Sequence, residues 1–521
     1  MYNRTMGISK LFSGQSNPKK ILFVASEAAP FARIGGLGSV MYSLPRALRT
    51  TGHDARVFMP RYLSIDPNMY HLKNECQHLE VPTGDEQGPT HLICNIKKFE
   101  AGTDSNSVPT YFLENQEYYE QRANVYGYAD DHIRWALLSR GALEFIRITR
   151  SWVPDIIVAS DWMTGLLPNY LKTTYRENAV LSKIATAFSI HNLFFQGTFD
   201  HRFVQEMDYD DGHSPIPGFH NKRLSKINSM RRGIMYADVV NTVSPTYAKE
   251  IMTEELGEGL DYLLRERKAV LTGVLNGIDY DTWDPTQDPA IKNHFSISKL
   301  KNRALNKQTV QDRFGLPQRE DVFLVSIVSR LDNQKGFDLL IPIIETLLQE
   351  LPMQLVIVGE GDTATMSFFR DLETKFPNQV ATHLKFDDIL PHEIFAGADA
   401  MLIPSRFEPS GLIQMEAMRY GAIPIVRKTG GLADTVQNFD PERGTGTGFV
   451  FERLDSLSLL VTTIRAFETF RHKEAWRALQ QRAMTKDFSW ERSAREYEKL
   501  FLRAIELRAR KQQQSASHAM G

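Results

Sequence analysis

Between Met401 and Val436 the hydrophobic period changes from continuous to helical twice in quick succession, a pattern that a layered α/β sheet accommodates and few other folds do. Met401 to Pro404 is a short apolar run. It gives way to Glu408-Pro409-Ser410-Gly411-Leu412, and then to a helical pattern with Leu412, Met415 and Met418 on one face and Gly421 as a stop. Pro409 fits a first helical turn, where its missing N–H is no loss. A second unit follows at once, with Ile423 to Val426 as strand and Thr429-Gly430-Gly431 as the loop before another helix. Free N–H groups in such loops, with a helix dipole behind them, suit an anion such as phosphate. Ser410, Gly411, Leu412, Thr429, Gly430 and Gly431 are therefore candidate ligand contacts, with the Glu408 carboxylate between the two loops. Glycine-rich strand-to-helix loops also occur as plain structure in every doubly wound fold. What favours a ligand here is Ser329-Arg330-Leu331-Asp332-Asn333-Gln334-Lys335-Gly336, which follows the buried run Val322 to Val328 and carries two cations ahead of a new helix. Ligands of open α/β sheets sit at the carboxyl ends of strands, so Arg330, Lys335 and the Glu408 loop are expected to converge on one crevice.

A chain of 521 residues exceeds one ordinary core, and two or three domains follow. With 42% hydrophobic and 24% charged residues it has the composition of a soluble globular protein. The net charge of -2 favours neither a nucleic-acid nor a membrane partner, so phosphate binding has to be local. Cys76 and Cys94 form no motif and read as reduced thiols of a cytoplasmic protein. Residues 1–18 contain no acidic residue, as in transit peptides, but are expected to be a short disordered leader. From 511 to 521 the chain is polar without apolar period and is expected to be a disordered tail.

The N-terminal half repeats the strand-to-loop theme. Lys20 to Ser26 is a strand buried on both faces, and it opens into Glu27-Ala28-Ala29-Pro30-Phe31-Ala32-Arg33-Ile34-Gly35-Gly36-Leu37-Gly38. Gly35 and Gly36 let the backbone approach a ligand diphosphate or its sugar. Pro154 to Ser160 leads into Asp161-Trp162-Met163, where Asp161 reads equally as a helix cap or a site residue. Ala187 to Ile190 leads into His191-Asn192-Leu193. Gly273-Val274-Leu275-Asn276-Gly277 offers Asn276 as a sugar or ribose contact. Asp279-Tyr280-Asp281 and Asp208-Tyr209-Asp210 both spell Asp-x-Asp, a metal-holding pattern in one class of glycosyltransferase. Neither directly follows a clear buried strand, and Arg330 with Lys335 already supplies positive charge, so no metal is assigned.

The segments S-R-L-D-N-Q-K-G, R-F-E-P-S-G-L and R-K-T-G-G-L-A-D-T-V closely resemble the glycogen and starch synthases, and further matches run from about residue 19 to residue 505. The resemblance implies two Rossmann-like, doubly wound α/β domains facing across a cleft (GT-B), with a C-terminal helix returning to the N-terminal domain. The domains are expected at 19–285 and 286–485, with the Pro- and Asp-rich run 283–289 as linker and 486–510 as the returning helix, on which Trp490, Ala494, Tyr497 and Phe501 keep helical period. It implies transfer of glucose from ADP-glucose, or UDP-glucose, to the non-reducing end of an α-1,4-glucan with retention of configuration. The nucleotide sugar is then a substrate and no cofactor is needed. Catalytic roles fall by resemblance on Glu408, His191, Arg330, Lys335 and Asp161. His191 would meet the transferred sugar, and Glu416, eight positions after Glu408, the ribose hydroxyls; a glutamate bonded to nearby backbone is the alternative for Glu416. Arg33 stands where the family's N-terminal Lys-Thr-Gly-Gly-Leu has lysine, with Ile34 for threonine. Ser39, Ser160, Met163 and Phe386 also depart from the family wording. A two-Rossmann transferase for another glycan acceptor is one alternative; a catalytically weak glucan-binding relative is the other, supported by the departures at Arg33, Ser39, Met163 and Phe386.

Overall fold

The computed structural model describes residues 17–100, 107–197 and 210–520. Most of the expected leader, and Asp208 and Tyr209 of one Asp-x-Asp run, lie outside the described residues. The N-terminal sheet contains β1 (Lys20–Val24), β2 (Asp54–Pro60), β3 (Lys73–Pro82), β4 (His91–Phe99), β5 (Thr110–Glu114), β6 (Ile156–Ser160), β7 (Ala185–Ile190), β8 (Val239–Thr242) and β9 (Leu271–Gly273). Their order is β3-β4-β5-β2-β1-β6-β7-β8-β9. The β3-β4-β5 edge is antiparallel and the other pairings are parallel. The C-terminal sheet contains β10 (Phe323–Val328), β11 (Met353–Val358), β12 (Val380–His383), β13 (Ala400–Ile403), β14 (Ile423–Arg427) and β15 (Phe449–Phe451), all parallel, in the order β12-β11-β10-β13-β14-β15. Two doubly wound sheets are thus present, as the sequence resemblance implies.

Each sheet has one place where the chain reverses its direction of growth, between β1 and β6 in the first and between β10 and β13 in the second. Loops leaving adjacent strands there diverge to opposite faces and leave a crevice. The loops singled out in the sequence follow β1, β6 and β7 on one side, and β10 and β13 on the other. Both faces of the second sheet are buried. Phe323, Val325, Leu355 and Ile357 pack on one face, and Leu324, Val356 and Val358 on the other. That two-sided burial explains the continuous apolar runs of the sequence.

The domain boundary differs from the expectation. Ile278 already belongs to the C-terminal core, and its N–H donates to the Phe488 carbonyl at 2.8 Å, so the two chain crossings lie side by side at 274–278 and 488–490. The run 283–289 is therefore part of the C-terminal domain. Trp283 stacks on His392 with ring centroids 3.9 Å apart, and the buried Asp288 carboxylate accepts from Tyr420 at 2.5 Å and pairs with His392 at 2.7 Å. A Pro- and Asp-rich stretch looks solvated in sequence; here its aromatic residue and one of its two carboxylates, Asp288, find buried partners.

The closing helix, Trp490–Met520, returns to the first domain, with Trp490, Ala494, Tyr497, Leu500, Phe501 and Ala504 in the N-terminal core. Phe501 meets Phe23 of β1 edge to face at 6.1 Å. The helix does not give way to a disordered tail at 511: Gln512 Nε2 donates to the Ser182 carbonyl at 2.8 Å, and Lys511 lies 3.6 Å from the buried Asp238 carboxylate. Polar residues carry the helix on because they have acceptors to reach. Phe501→Ala should destabilise the protein by about 3–5 kcal/mol, the scale for emptying a buried phenylalanine site. Urea unfolding followed through tryptophan fluorescence checks it, and a change under about 1 kcal/mol would mean that the helix contributes little to this core.

Candidate active site

Gly336, at φ 72°, lets the β10 loop lie against the end of β13. A Cβ there would sit 2.1 Å from the Pro404 carbonyl oxygen. The two loops are then knitted by backbone and side chain. Arg406 N donates to Gln334 O at 2.8 Å, and Gln334 Nε2 to Phe407 O at 3.3 Å. At the centre Lys335 Nζ lies 2.6 Å from Glu408 Oε2, which also accepts from Ser405 Oγ at 3.0 Å. Glu408 is 6% exposed, so this is an ion pair largely out of water. The structure therefore brings Lys335 and Glu408 together as the sequence predicts. Arg330 stands at the rim of the same loop. Its side chain is 60% exposed, held 2.9 Å from Asp332 and 3.2 Å from Gln334 Oε1.

Downstream of Glu408 the helix starts later than Pro409 suggests. It spans Ile413–Arg419, and Pro409 to Leu412 stay in the loop, with Gly411 at φ 64°. Gln414 Nε2 ties that loop by donating to the carbonyls of Ser410 at 3.1 Å and Gly411 at 2.8 Å. The N–H groups of Gly411 and Leu412 have no acceptor among the described residues, and Ser410 Oγ is buried without a partner. An anion beside the Lys335 ammonium would meet unspent donors here.

Thr429, Gly430 and Gly431 do something else. Thr429 Oγ1 and Gly430 N donate to the Glu250 carboxylate at 3.1 Å, and Gly431 N donates to Glu408 O at 3.0 Å. Cβ atoms at Gly430 and Gly431 would stand 1.9 Å from Glu408 O and 1.7 Å from Ser410 O. These three residues, expected to face substrate, are taken up by protein. The absent Cβ serves backbone against backbone, and the anion received is a carboxylate of the other domain.

On the N-terminal side Asp161 is not a helix cap. Its side chain makes no capping bond; Oδ1 accepts from His191 N at 2.7 Å and Asn192 N at 3.3 Å, tying the β6 loop to the β7 loop. Burial, with Glu27 nearby, pushes its carboxyl up to about 7. Burial drives the His191 imidazole down to about 4, so it is neutral at physiological pH. Glu27 has no assigned role in the sequence reading, yet it shapes the glycine loop. It accepts from Ile34 N at 2.5 Å and Gly35 N at 3.2 Å, and Tyr126 OH donates to it at 3.1 Å. The available signal was its position just past a buried strand. Gly35 and Gly36 themselves are exposed, and a Cβ at Gly36 would meet nothing within 4 Å, so this loop is open to a ligand.

The halves meet around these loops. Phe194, three residues after His191, stacks on Phe407, the neighbour of Glu408, at 6.3 Å between ring centroids. Arg33 lies 3.5 Å from Asp388 and close enough to Glu416 to offset part of that carboxyl's rise. Glu416 is 7% exposed, and burial lifts it to about 8. Phe386, two residues before Asp388 in the chain, is exposed. Asn276 sits apart, on the first crossing, 6% exposed with Oδ1 buried and unpartnered. Asp279 and Asp281 lie 3.5 and 2.7 Å from Arg46, which gives that Asp-x-Asp run an ion-pairing role. Asp210 of the other run is taken by Arg232. No group of three or more metal-ligating side chains occurs among the described residues, and no described helix is long and apolar enough to cross a membrane.

Two doubly wound domains, with an ion pair at the switch point of one and a buried carboxyl tied to the His191 loop in the other, have the architecture of the two-Rossmann glycosyltransferases. The comparisons agree. The starch synthase catalytic domain family matches residues 20–266, and glycosyl transferases group 1 match residues 308–478. The chain is 41% identical over 483 residues to a glycogen synthase of Clostridium perfringens, covering 92% of this chain and 98% of that one. To one from Thermotoga maritima it is 39% identical over 499 residues, 93% and 99% of the two chains. Among solved structures, the catalytic domain of starch synthase IV from Arabidopsis thaliana, bound to ADP and acarbose, superposes with a TM-score of 0.81 at 31% identity, over 94% of this chain and all of that one. Sucrose-phosphate synthase from Thermosynechococcus elongatus, at 17% identity and TM-score 0.57, shares the fold. The chain belongs to the glycogen synthase family, and it is a glucosyltransferase of glycogen synthesis.

Glu416 carries a pH signature. A carboxyl raised in the folded state contributes stability that is complete below its unfolded value of about 4.5 and lost as pH climbs through the folded value. Glu416→Gln has no charge to bury, so without ligand its melting temperature should gain on the wild type from pH 5 to about pH 8 and level off above that. A difference that stays constant across that range would place the Glu416 carboxyl in water.

Proposed function

We propose that the protein transfers glucose from ADP-glucose to the non-reducing 4-hydroxyl of an α-1,4-glucan with retention of configuration. The observation that carries this is the Lys335 to Glu408 contact at 2.6 Å, beside two unspent backbone donors at Gly411 and Leu412. As the anomeric C–O bond breaks, its electron pair goes to the diphosphate, and the sugar acquires oxocarbenium character. Lys335, Arg330 and the two amides receive the growing negative charge, which in a water-poor cleft is worth several kcal/mol. The glucan hydroxyl attacks the same face that the diphosphate leaves, and its proton passes to the departing phosphate oxygen.

Glu408 bonds sugar hydroxyls and holds the Lys335 ammonium. His191, neutral near pH 7, serves as a hydrogen-bonding wall for the sugar and adds no positive charge next to the oxocarbenium. Asp161 acts through the His191 backbone, as a positioning residue. Gly35 and Gly36 admit the donor's phosphate or sugar, Arg33 closes over it from the N-terminal side, and Glu416 meets the ribose. ADP and acarbose on the Arabidopsis relative support an adenine nucleotide as leaving group and a glucan as acceptor.

Lys335→Ala and Glu408→Ala should each lower turnover at least about 100-fold, the scale of lost transition-state charge stabilisation. The assay is nucleotide release and chain elongation on a maltooligosaccharide primer with both donors, and near wild-type turnover in folded Lys335→Ala protein would remove the mechanism. Because two cations and two amides take the leaving group's charge, turnover should be unchanged after exhaustive EDTA treatment. A rate lost on chelation and regained with Mg²⁺ would instead show that those four groups leave part of the charge to a metal.

A further inference from the structure

Two carboxylates cross between the domains in opposite directions. Glu250, at the end of the helix Pro245–Glu250 in the N-terminal domain, accepts from Thr429 Oγ1 at 3.1 Å and from Gly430 N at 3.1 Å to each oxygen. Asp434, in the C-terminal helix Gly430–Thr435, accepts from Ser244 Oγ at 2.6 Å, Thr246 N at 2.9 Å and Thr246 Oγ1 at 2.6 Å. Each acid serves the start of the other domain's helix. Ser244 Oγ accepts from Tyr247 N at 2.9 Å while donating to Asp434, so cap and clasp are one chain of hydrogen bonds.

The clasp grips the underside of the reacting loop. Gly430, which donates to Glu250, is followed by Gly431, whose N–H donates to Glu408 O. Arg427 lies within electrostatic reach of Glu250 and holds the same loop from its other end, donating to Ser405 O at 2.9 Å and to Arg406 O. Ser405 in turn donates to the Glu408 carboxylate at 3.0 Å. On the other side, Tyr247 OH, one turn before Glu250, accepts from Leu193 N at 3.3 Å, two residues after His191. A rigid connection therefore runs from the His191 loop through Tyr247 and Glu250 to the Glu408 loop.

We infer that Glu250 and Asp434 are positioning residues for glucosyl transfer, a reciprocal clasp that sets the distance between the Glu408 and His191 loops when the cleft is shut. The inference rests on the transferase reading above. Charge-assisted bonds to neutral donors are strong and directional, yet both acids can be rehydrated when the domains part, so the clasp is reversible. Weakening it lowers the population of the shut form and admits water to the donor.

The test uses the full chain with Glu250→Ala, Asp434→Ala, and the milder Glu250→Gln and Asp434→Asn, which keep an acceptor oxygen. Each alanine variant should lose about tenfold in kcat, with KM for ADP-glucose changed far less, the loss expected for hydrogen bonds to a charged group. The share of donor hydrolysed to free glucose should rise, and the amide variants should recover part of both changes. Folded alanine variants with wild-type kcat and wild-type hydrolysis share overturn the proposal. An alanine variant that does not fold leaves the decision to the amide variants, in which an unchanged kcat and hydrolysis share again overturn it. Small-angle scattering of the unliganded double variant Glu250→Ala/Asp434→Ala gives a readout independent of turnover. A larger radius of gyration supports the clasp and an identical profile refutes it, even if the wild type transfers no glucose.

Discussion

The contact between Lys335 and Glu408 anchors the C-terminal half of the site. Taking an ammonium and a carboxylate out of water costs several kcal/mol each, and only a short, well-oriented contact offsets that. The chain arranges it by folding two strand-end loops onto each other, with Gly336 against the Pro404 carbonyl and Ser405 bonding the carboxylate. Lysine suits the position. Its three donors allow one to stay on Glu408 while others meet a diphosphate, so the two groups can stay bonded before and after substrate enters. Remove either and the other is a stranded charge, which is why the pair acts as a unit in the proposed reaction.

Opposite it, apart from Arg33 at the rim, whose guanidinium faces Asp388 and Glu416 of the C-terminal domain, the floor of the N-terminal side is built to be electrically quiet. The His191 ring is kept neutral, and Asp161, held near neutrality of pH by burial, spends its acceptors on two backbone amides. Glu27 spends its own on the glycine loop and a tyrosine. Cations then lie on the side of the leaving group, and polar groups without net positive charge on the side of the sugar. That division matches the charge separation along a breaking glycosyl bond, where a protonated imidazole near C1 would oppose the developing oxocarbenium.

Local chemistry in this chain is legible where it obeys a short-range rule. The buried strands, the helix face of Met415 and Met418, the stop at Gly421 and the strand-end location of Arg330, Lys335, Glu408 and His191 all follow from period and from the geometry of open sheets. Illegible were the partners that folding brings from afar. Nothing around Glu250 marks it as the anion for Thr429 and Gly430, 180 residues away. Asp161 read equally as a cap or a site residue because strand-end aspartates often cap helices, whereas its donors come from the neighbouring strand's loop. Asp288 looked solvated because sequence shows neighbours, and its partners His392 and Tyr420 lie more than 100 residues off.

The glycine loops make the same point about one residue type. A missing Cβ admits close approach, but sequence does not say of what. At Gly36 the space is open, and a ligand is the natural occupant. At Gly430, with φ 42° and the Glu408 carbonyl where a Cβ would go, the occupant is the reacting loop itself. The second glycine motif thus acts as a bearing surface beneath the first, and the anion drawn to its amide is the opposite domain's carboxylate. A site assembled this way has its reacting groups held by the same bonds that hold the halves together. Moving the domains apart would therefore loosen Glu408 at its backbone as well as distance it from His191, and chemistry and closure become one equilibrium.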